Sequence, residues 1–113
     1  MKVSQTARLS EDLKTEAKHV GACFARLRIA RGIKQDVAAV QAGLSRNTAS
    51  RLETGDPGVA IGQFLRYLDV IAPGMTMNEL FAQTDPSLAV LASKEKSRRV
   101  RGLSNHQGRE EIV

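Results

Sequence analysis

The stretch that most constrains this chain is residues 35–55, which read QDVAAVQAGLSRNTASRLETG. Apolar residues recur at helical spacing before Gly43, at Val37, Ala38 and Val40, and again after it. Gly43 lies where the first helix must end in a left-handed cap, and the hydroxyl of Ser45 can cap the next helix. The pattern therefore predicts two short helices joined by a tight turn, which is the helix-turn-helix arrangement.

The second of these helices has a polar surface that carries no carboxylate. Ala49 and Leu52 are predicted to face the core, which leaves outside Arg46, Asn47, Thr48, Ser50 and Arg51. All five side chains can form hydrogen bonds, and none of them would repel a phosphate. We therefore expect this surface to reach into the major groove of double-stranded DNA.

Several positions within residues 21–81 resemble the Cro/C1-type helix-turn-helix family, also called the xenobiotic-response-element family. They are Gly21 and Arg28 ahead of the motif, then Gln35, the VAAVQAGLS turn and the RLETG ending. The resemblance implies an all-α fold, a compact five-helix bundle like that of lambda repressor. It also implies binding to operator DNA, commonly as a two-fold dimer.

The resemblance also implies roles for individual residues. Base edges would be read by Arg46, Asn47 and Arg51, with Ser50 as a secondary contact. The DNA backbone would be contacted by Lys34, Gln35, Ser45 and Thr48, with Gln35 open to a base contact as well. Arg28 and Glu53 would form an internal ion pair that ties the first helix to the end of the second motif helix. Lys34 departs from the family pattern, which has Ser or Thr there as a helix cap, but a lysine can still reach a phosphate.

Composition favours packed helices over a sheet. The chain has 113 residues, enough for one domain, and its residues are 42% hydrophobic but only 4% aromatic, which predicts an aliphatic, alanine-rich core. The formal net charge of +5 favours an anionic partner, but charge alone is a weak signal. The motif therefore carries the inference of DNA binding.

Nothing in the sequence indicates catalysis, a cofactor or a metal. Cys23 is the only cysteine, and no Cys/His ligand spacing or phosphate-binding glycine loop is present. His19 and His106 are far apart, and no Ser or Cys lies in a nucleophile setting, so we predict that the chain is not an enzyme. No apolar run approaches the ~20 residues of a membrane span, and residues 1–10 lack the apolar segment of a signal peptide. These features predict a cytoplasmic protein without membrane contact.

The order of segments predicts four regions. Residues 1–12 form a polar arm, residues 13–84 the DNA-binding domain, residues 85–101 a C-terminal helix with a basic stretch, and residues 102–113 a disordered tail. Within the domain, Ser10 is expected to cap a long first helix. A later apolar stripe is expected to close the bundle, and it consists of Ile61, Phe64, Leu65, Leu68 and Ile71. Tyr67 is left open between packing and a partner surface.

Apolar residues beyond the motif are candidates for a dimer seam. The family often places dimer contacts on the fifth helix and the preceding loop, and the helix after Asp85-Pro86 adds an apolar face that a five-helix bundle does not need. The candidates are Met75, Met77, Leu80, Phe81, Leu88 and Leu91. For Leu80 and Phe81, core packing is an equally strong interpretation. The face of Leu88 and Leu91 either packs on its own domain or, as we favour, pairs with a second chain.

Two functions fit these features. The first is a sequence-specific transcriptional regulator, most simply a repressor, that acts as a homodimer on a palindromic operator. The alternative is an antitoxin that binds a toxin protein through residues 85–113 and represses its own operon. Residues 94–101 contain five cations and one anion, a local charge of +4, and either wrap DNA or form a solvated tail.

Overall fold

The computed structural model describes residues 4–112 of the chain, with side chains described for residues 4–100. Over this range the chain forms seven helices and no strand, so the predicted all-α class is confirmed. The helices are α1 (Gln5–Arg8), α2 (Glu11–Ala30), α3 (Gln35–Ala42), α4 (Arg46–Thr54), α5 (Ile61–Ile71), α6 (Met77–Ala82) and α7 (Pro86–Ile112). The short α1 lies within the region predicted to be a polar arm, and its first turn is capped by Ser4.

Local capping explains where most of these helices begin. The Ser10 hydroxyl accepts a hydrogen bond from the Leu13 amide at 3.2 Å, so the predicted start of α2 is confirmed. Thr76 and Glu79 cap each other's backbone amides at the start of α6, as a capping box requires. Asp85 accepts from the Ser87 amide at the start of α7. Lys34 makes no side-chain cap, so α3 begins without one.

The helix α2 lies at the centre of the bundle and contacts α4, α5, α6 and α7, while α3 packs on α4 and α5. The largest fully buried side chains are Phe24, Leu27, Leu52, Tyr67, Leu68 and Ile71. On α3 the buried residues are alanines, Ala38, Ala39 and Ala42. The predicted apolar positions Val37 and Val40 are exposed instead, Val40 by 75%. The alanines face inward because they let α3 approach α4 and α5 closely.

The buried face of α5 also differs from the predicted stripe. Ile61 and Leu65 are 67% and 51% exposed, whereas Tyr67 is completely buried beside Phe24, with ring centroids 6.4 Å apart. The inward face therefore runs through Phe64, Tyr67, Leu68 and Ile71, at helical spacing. Tyr67 can be buried because its hydroxyl donates a hydrogen bond to Glu53.

Two glycines allow α2 to approach the end of α4. A Cβ added to Gly21 would lie 2.5 Å from the Gly55 nitrogen. Gly55 itself has φ +81°, and a Cβ there would lie 2.4 Å from the Ala17 carbonyl oxygen. Side chains at either position would force these backbones apart. The crossing fixes the carboxyl end of α4 against α2.

The last helix, α7, packs on α2 through two ion pairs. Arg31 contacts Asp85 and Arg26 contacts Glu95, each at 2.6 Å. Leu88 and Leu91 are partly buried, so the described contacts are those of packing within the chain, the alternative that we did not favour from the sequence. The helix spans 27 residues and includes 102–112, where the sequence predicted a disordered tail. Charged and polar residues can continue a helix that has already begun, because adding a residue to a helix costs less than starting one.

Of the predicted dimer-seam residues, Leu80 is buried in the core, so it does not line an exposed seam. Met75 and Met77 pack partly against the same core. Phe81 is the most open of the α6 candidates, with 40% exposure. The sequence left Phe81 open between the core and a dimer seam, and the structure does not place it among the buried core residues.

Candidate nucleic-acid interface

The outer side of α4 forms a single polar surface. Ala49 and Leu52 are buried beneath it, and the side chains on the outside are Arg46, Asn47, Ser50, Arg51 and Thr54. We call these five residues the α4 polar surface. Arg46 is the most open of the charged members, with 83% of its side chain exposed. All of the residues predicted to read base edges therefore lie on one helical face.

The sequence placed Thr48 on this surface, but the structure does not. It is half-buried, and its amide and hydroxyl are both bound to Ser45. The Ser45 oxygen accepts from the Thr48 amide at 3.0 Å and donates to the Thr48 hydroxyl at 2.9 Å. This arrangement caps α4 and leaves the hydroxyl proton of Thr48 to donate to another acceptor.

Gln35 and Lys34, at the start of α3, have different surroundings. The Gln35 side chain points into the protein and donates to Glu53 Oε1 at 3.0 Å, although the sequence placed it on DNA. Lys34 is exposed. At the start of α3 the Val37 amide donates to Asp36 Oδ1 at 2.8 Å and the Ala38 amide to the Lys34 carbonyl at 3.0 Å, so of the first-turn amides those of Gln35 and Asp36 are left to bind an anion.

Glu53, in the last turn of α4, is the centre of a buried polar network. Arg28 Nε donates to Glu53 Oε2 at 2.6 Å and Arg28 Nη2 to Oε1 at 3.0 Å, so the ion pair implied by the resemblance is present. Tyr67 and Gln35 donate to the same carboxylate. Only 6% of the Glu53 side chain is exposed. One carboxylate therefore connects α2, α3 and α5 to α4 and fixes the direction in which α4 faces.

The network also shifts the pKa values of its members. The hydrogen bond to Glu53 is the main cause that raises the pKa of the Arg28 guanidinium above its usual value. Burial, followed by the hydrogen bond to Glu53, raises the pKa of the Tyr67 hydroxyl. Both shifts mean that the folded protein favours the protonated form of the donor. The sequence did not identify Tyr67 as a member, because its hydrogen-bond partner lies on another helix.

Arg51 is held by Asp56, a contact that was not predicted from the sequence. Arg51 Nε donates to Asp56 Oδ2 at 2.7 Å across the turn that follows α4. The other carboxylate oxygen of Asp56 accepts from the Gly58 amide at 2.8 Å. The hydrogen bond from Arg51 is the main cause that lowers the pKa of the Asp56 carboxyl. Opposite charges five positions apart across a turn were the signal available in the sequence.

Arg46, by contrast, has only a distant partner. Its Nη2 lies 4.0 Å from Asp36 Oδ2 on α3. This separation is too long for a hydrogen bond, and an exposed pair of this kind restrains a side chain little. The α4 polar surface thus combines one weakly restrained arginine with one held by a hydrogen bond.

Within residues 4–100, no group of three His, Cys, Asp or Glu side chains lies close enough together to hold a metal ion. None of the helices that the structure describes is long and apolar enough to cross a membrane.

Residues 19–72 match the family model described as a helix-turn-helix domain. The match begins within α2 and ends just after α5, so it contains α3, α4 and the Glu53 network. No curated protein and no solved structure matched the chain.

Proposed function

We propose that the chain is a sequence-specific transcriptional regulator, because residues 19–72 match the family model of a helix-turn-helix domain, a domain type that binds DNA. The observation that carries the proposal is the placement of Arg46, Asn47 and Arg51 on one exposed face of α4. The Glu53 network holds that face outward. An α-helix with such a face fits the major groove of B-DNA.

In this proposal the side chains divide into base readers and backbone contacts. Arg46 and Arg51 suit the N7 and O6 acceptors of guanine, and Asn47 suits adenine, with Ser50 as a secondary contact. Lys34 and the hydroxyl of Thr48 would contact phosphates. Gln35 would contribute its backbone amide at the start of α3, since its side chain is bound to Glu53.

We further propose that the chain acts as a homodimer on a palindromic operator. Two α4 helices would then enter successive major grooves about 34 Å apart. Phe81, Leu88 and Leu91, together with Met75 and Met77, remain the candidates for the seam. Repression is the simplest mode of action, because it requires only that bound protein blocks polymerase. A regulator of this kind acts in the cytoplasm and requires no catalytic activity.

The antitoxin alternative is favoured by one feature, the outward face of α7. Val90 and Val100 are more than half exposed on this helix, beside several exposed cations. A toxin protein that bound α7 would cover these side chains. Co-purification with a small protein encoded beside it would favour this alternative, whereas a homodimer that binds DNA without a partner would disfavour it.

Selection of binding sites from a random pool of duplex DNA tests the main proposal. We expect the full chain to enrich one sequence with two half-sites separated by one helical turn. Arg51→Ala should weaken binding to that site by about 1–3 kcal/mol and relax the preference at one base pair. Arg98→Ala on α7 is the matched control, because it removes the same charge but should leave every base preference intact. Enrichment of no sequence would contradict the proposal.

A further inference from the structure

Asp56 binds the guanidinium of Arg51, and Gly58 lies beside it. Asp56 uses both of its carboxylate oxygens, Oδ2 for Arg51 Nε and Oδ1 for the Gly58 amide. A Cβ added to Gly58 would lie 3.2 Å from Arg51 Nη2 and 3.1 Å from Asp56 Oδ1. The turn after α4 therefore fits closely around the arginine, and the carboxylate is itself fixed by a backbone amide.

This contact determines which edge of the guanidinium Asp56 leaves free. An arginine can offer either the edge with Nε and one terminal nitrogen or the edge with both terminal nitrogens. With Nε bound to Asp56, the edge that remains is the one with Nη1 and Nη2. Among the described residues, neither of these two nitrogens donates to a protein acceptor.

We propose that Asp56 is a positioning residue that fixes Arg51 so that its Nη1 and Nη2 atoms read a guanine. The inference rests on the proposed function, which supplies the DNA. A side chain that is already held in its binding geometry loses less freedom on binding, so its base contact discriminates more strongly. Asp56 itself, being an anion, adds no attraction to DNA. Its contribution is therefore to base preference and not to overall affinity.

Asp56→Asn separates this role from the role of Asp56 in the turn. The asparagine keeps one oxygen to accept from the Gly58 amide but has no second acceptor for Arg51 Nε. We expect the preference for guanine at one position of the selected site to fall roughly tenfold, the scale of ordering one flexible side chain. Preferences at the other positions and the thermal unfolding midpoint should change little.

Gly58→Ala tests the same contact without changing the charge. The added methyl group would require Arg51 Nη2 or Asp56 Oδ1 to move by a few tenths of an ångström, and we expect the same guanine preference to fall. Gly62→Ala is the matched control, because a Cβ there meets nothing within 4 Å. It should leave the preference unchanged.

The measurement is binding of the full chain to duplexes in which each guanine of the selected site is replaced in turn. Asp56→Asn should have no further effect on the preference in an Arg51→Ala background. An equal effect in both backgrounds, or an unchanged preference in the single variant, would overturn the positioning role while leaving the regulator intact. If Arg51→Ala changes no base preference, the inference also fails. Failure of the wild-type chain to select any site would instead refute the proposed function.

Discussion

Replacing Tyr67 by phenylalanine tests whether the Glu53 network stabilises the fold. The variant keeps the aromatic ring that packs beside Phe24 and removes only the hydroxyl that donates to Glu53. A hydrogen bond to a charged group contributes about 1.5–3 kcal/mol to stability. Glu53 keeps its bonds from Arg28 and Gln35, so its carboxylate is not left unpaired. We therefore expect the lower part of that range, about 1.5 kcal/mol.

Thermal and denaturant unfolding of the full chain measure this loss. For a domain of this size, about 1.5 kcal/mol lowers the unfolding midpoint by roughly 6–12 °C. Thr15→Ala is a suitable control, because it removes an exposed hydroxyl from α2 and should change stability by no more than about 0.5 kcal/mol. If Tyr67→Phe were as stable as the wild type or more stable, the hydroxyl would contribute nothing to holding α4.

Three further predictions concern the same contacts. Tyr67 is the only tyrosine and the chain has no tryptophan, so near-ultraviolet absorbance reports its ionisation alone. The pKa of Tyr67 is raised in the folded protein, so the hydroxyl contributes fully to stability below the unfolded pKa of about 10, and this contribution is lost as the pH rises above that value. Phenolate absorbance at pH 10 in the folded protein would contradict this prediction. A hydrogen bond from Arg31 lowers the pKa of Asp85, and one from Arg26 lowers the pKa of Glu95. The docking of α7 on α2 should therefore be complete above about pH 4.5 and weaken as the pH falls through the lowered pKa values of the two folded carboxyl groups. The protection of the α7 amides, corrected for the intrinsic exchange rate at each pH, should then fall at low pH before the core opens, and unchanged protection would contradict the role of these pairs. Gly21→Ala should destabilise the bundle by about 1–3 kcal/mol in chemical denaturation, whereas Gly62→Ala should not exceed the ordinary cost of a surface substitution.

Features governed by neighbouring residues could be predicted from the sequence. The caps at Ser10 and Ser45 and the left-handed Gly43 depend on a few adjacent positions, and all three are present. The Arg28–Glu53 pair came from the family resemblance, which preserves contacts between distant positions. The outward position of Arg46, Asn47 and Arg51 followed from the burial of Ala49 and Leu52 beneath them.

Features that depend on contacts between helices could not be predicted in this way. Hydrophobicity placed Val37, Val40, Ile61 and Leu65 inside, but the close approach of α3 and α5 is made by alanines and by Tyr67. Gln35 turns inward because Glu53 offers an acceptor that only the folded chain brings near. The hold of Asp56 on Arg51 likewise exists only once the turn after α4 has formed.

DNA binding by a triple variant tests whether the α4 polar surface reads bases. Arg46→Ala, Asn47→Ala and Arg51→Ala together remove the proposed base readers from the α4 polar surface and leave its buried residues in place. The measurement compares affinity for the selected site with affinity for random duplex DNA at one salt concentration. We predict that the variant binds both with nearly equal affinity, because only phosphate contacts remain. A folded variant that still preferred the selected site as strongly as the wild type would contradict it.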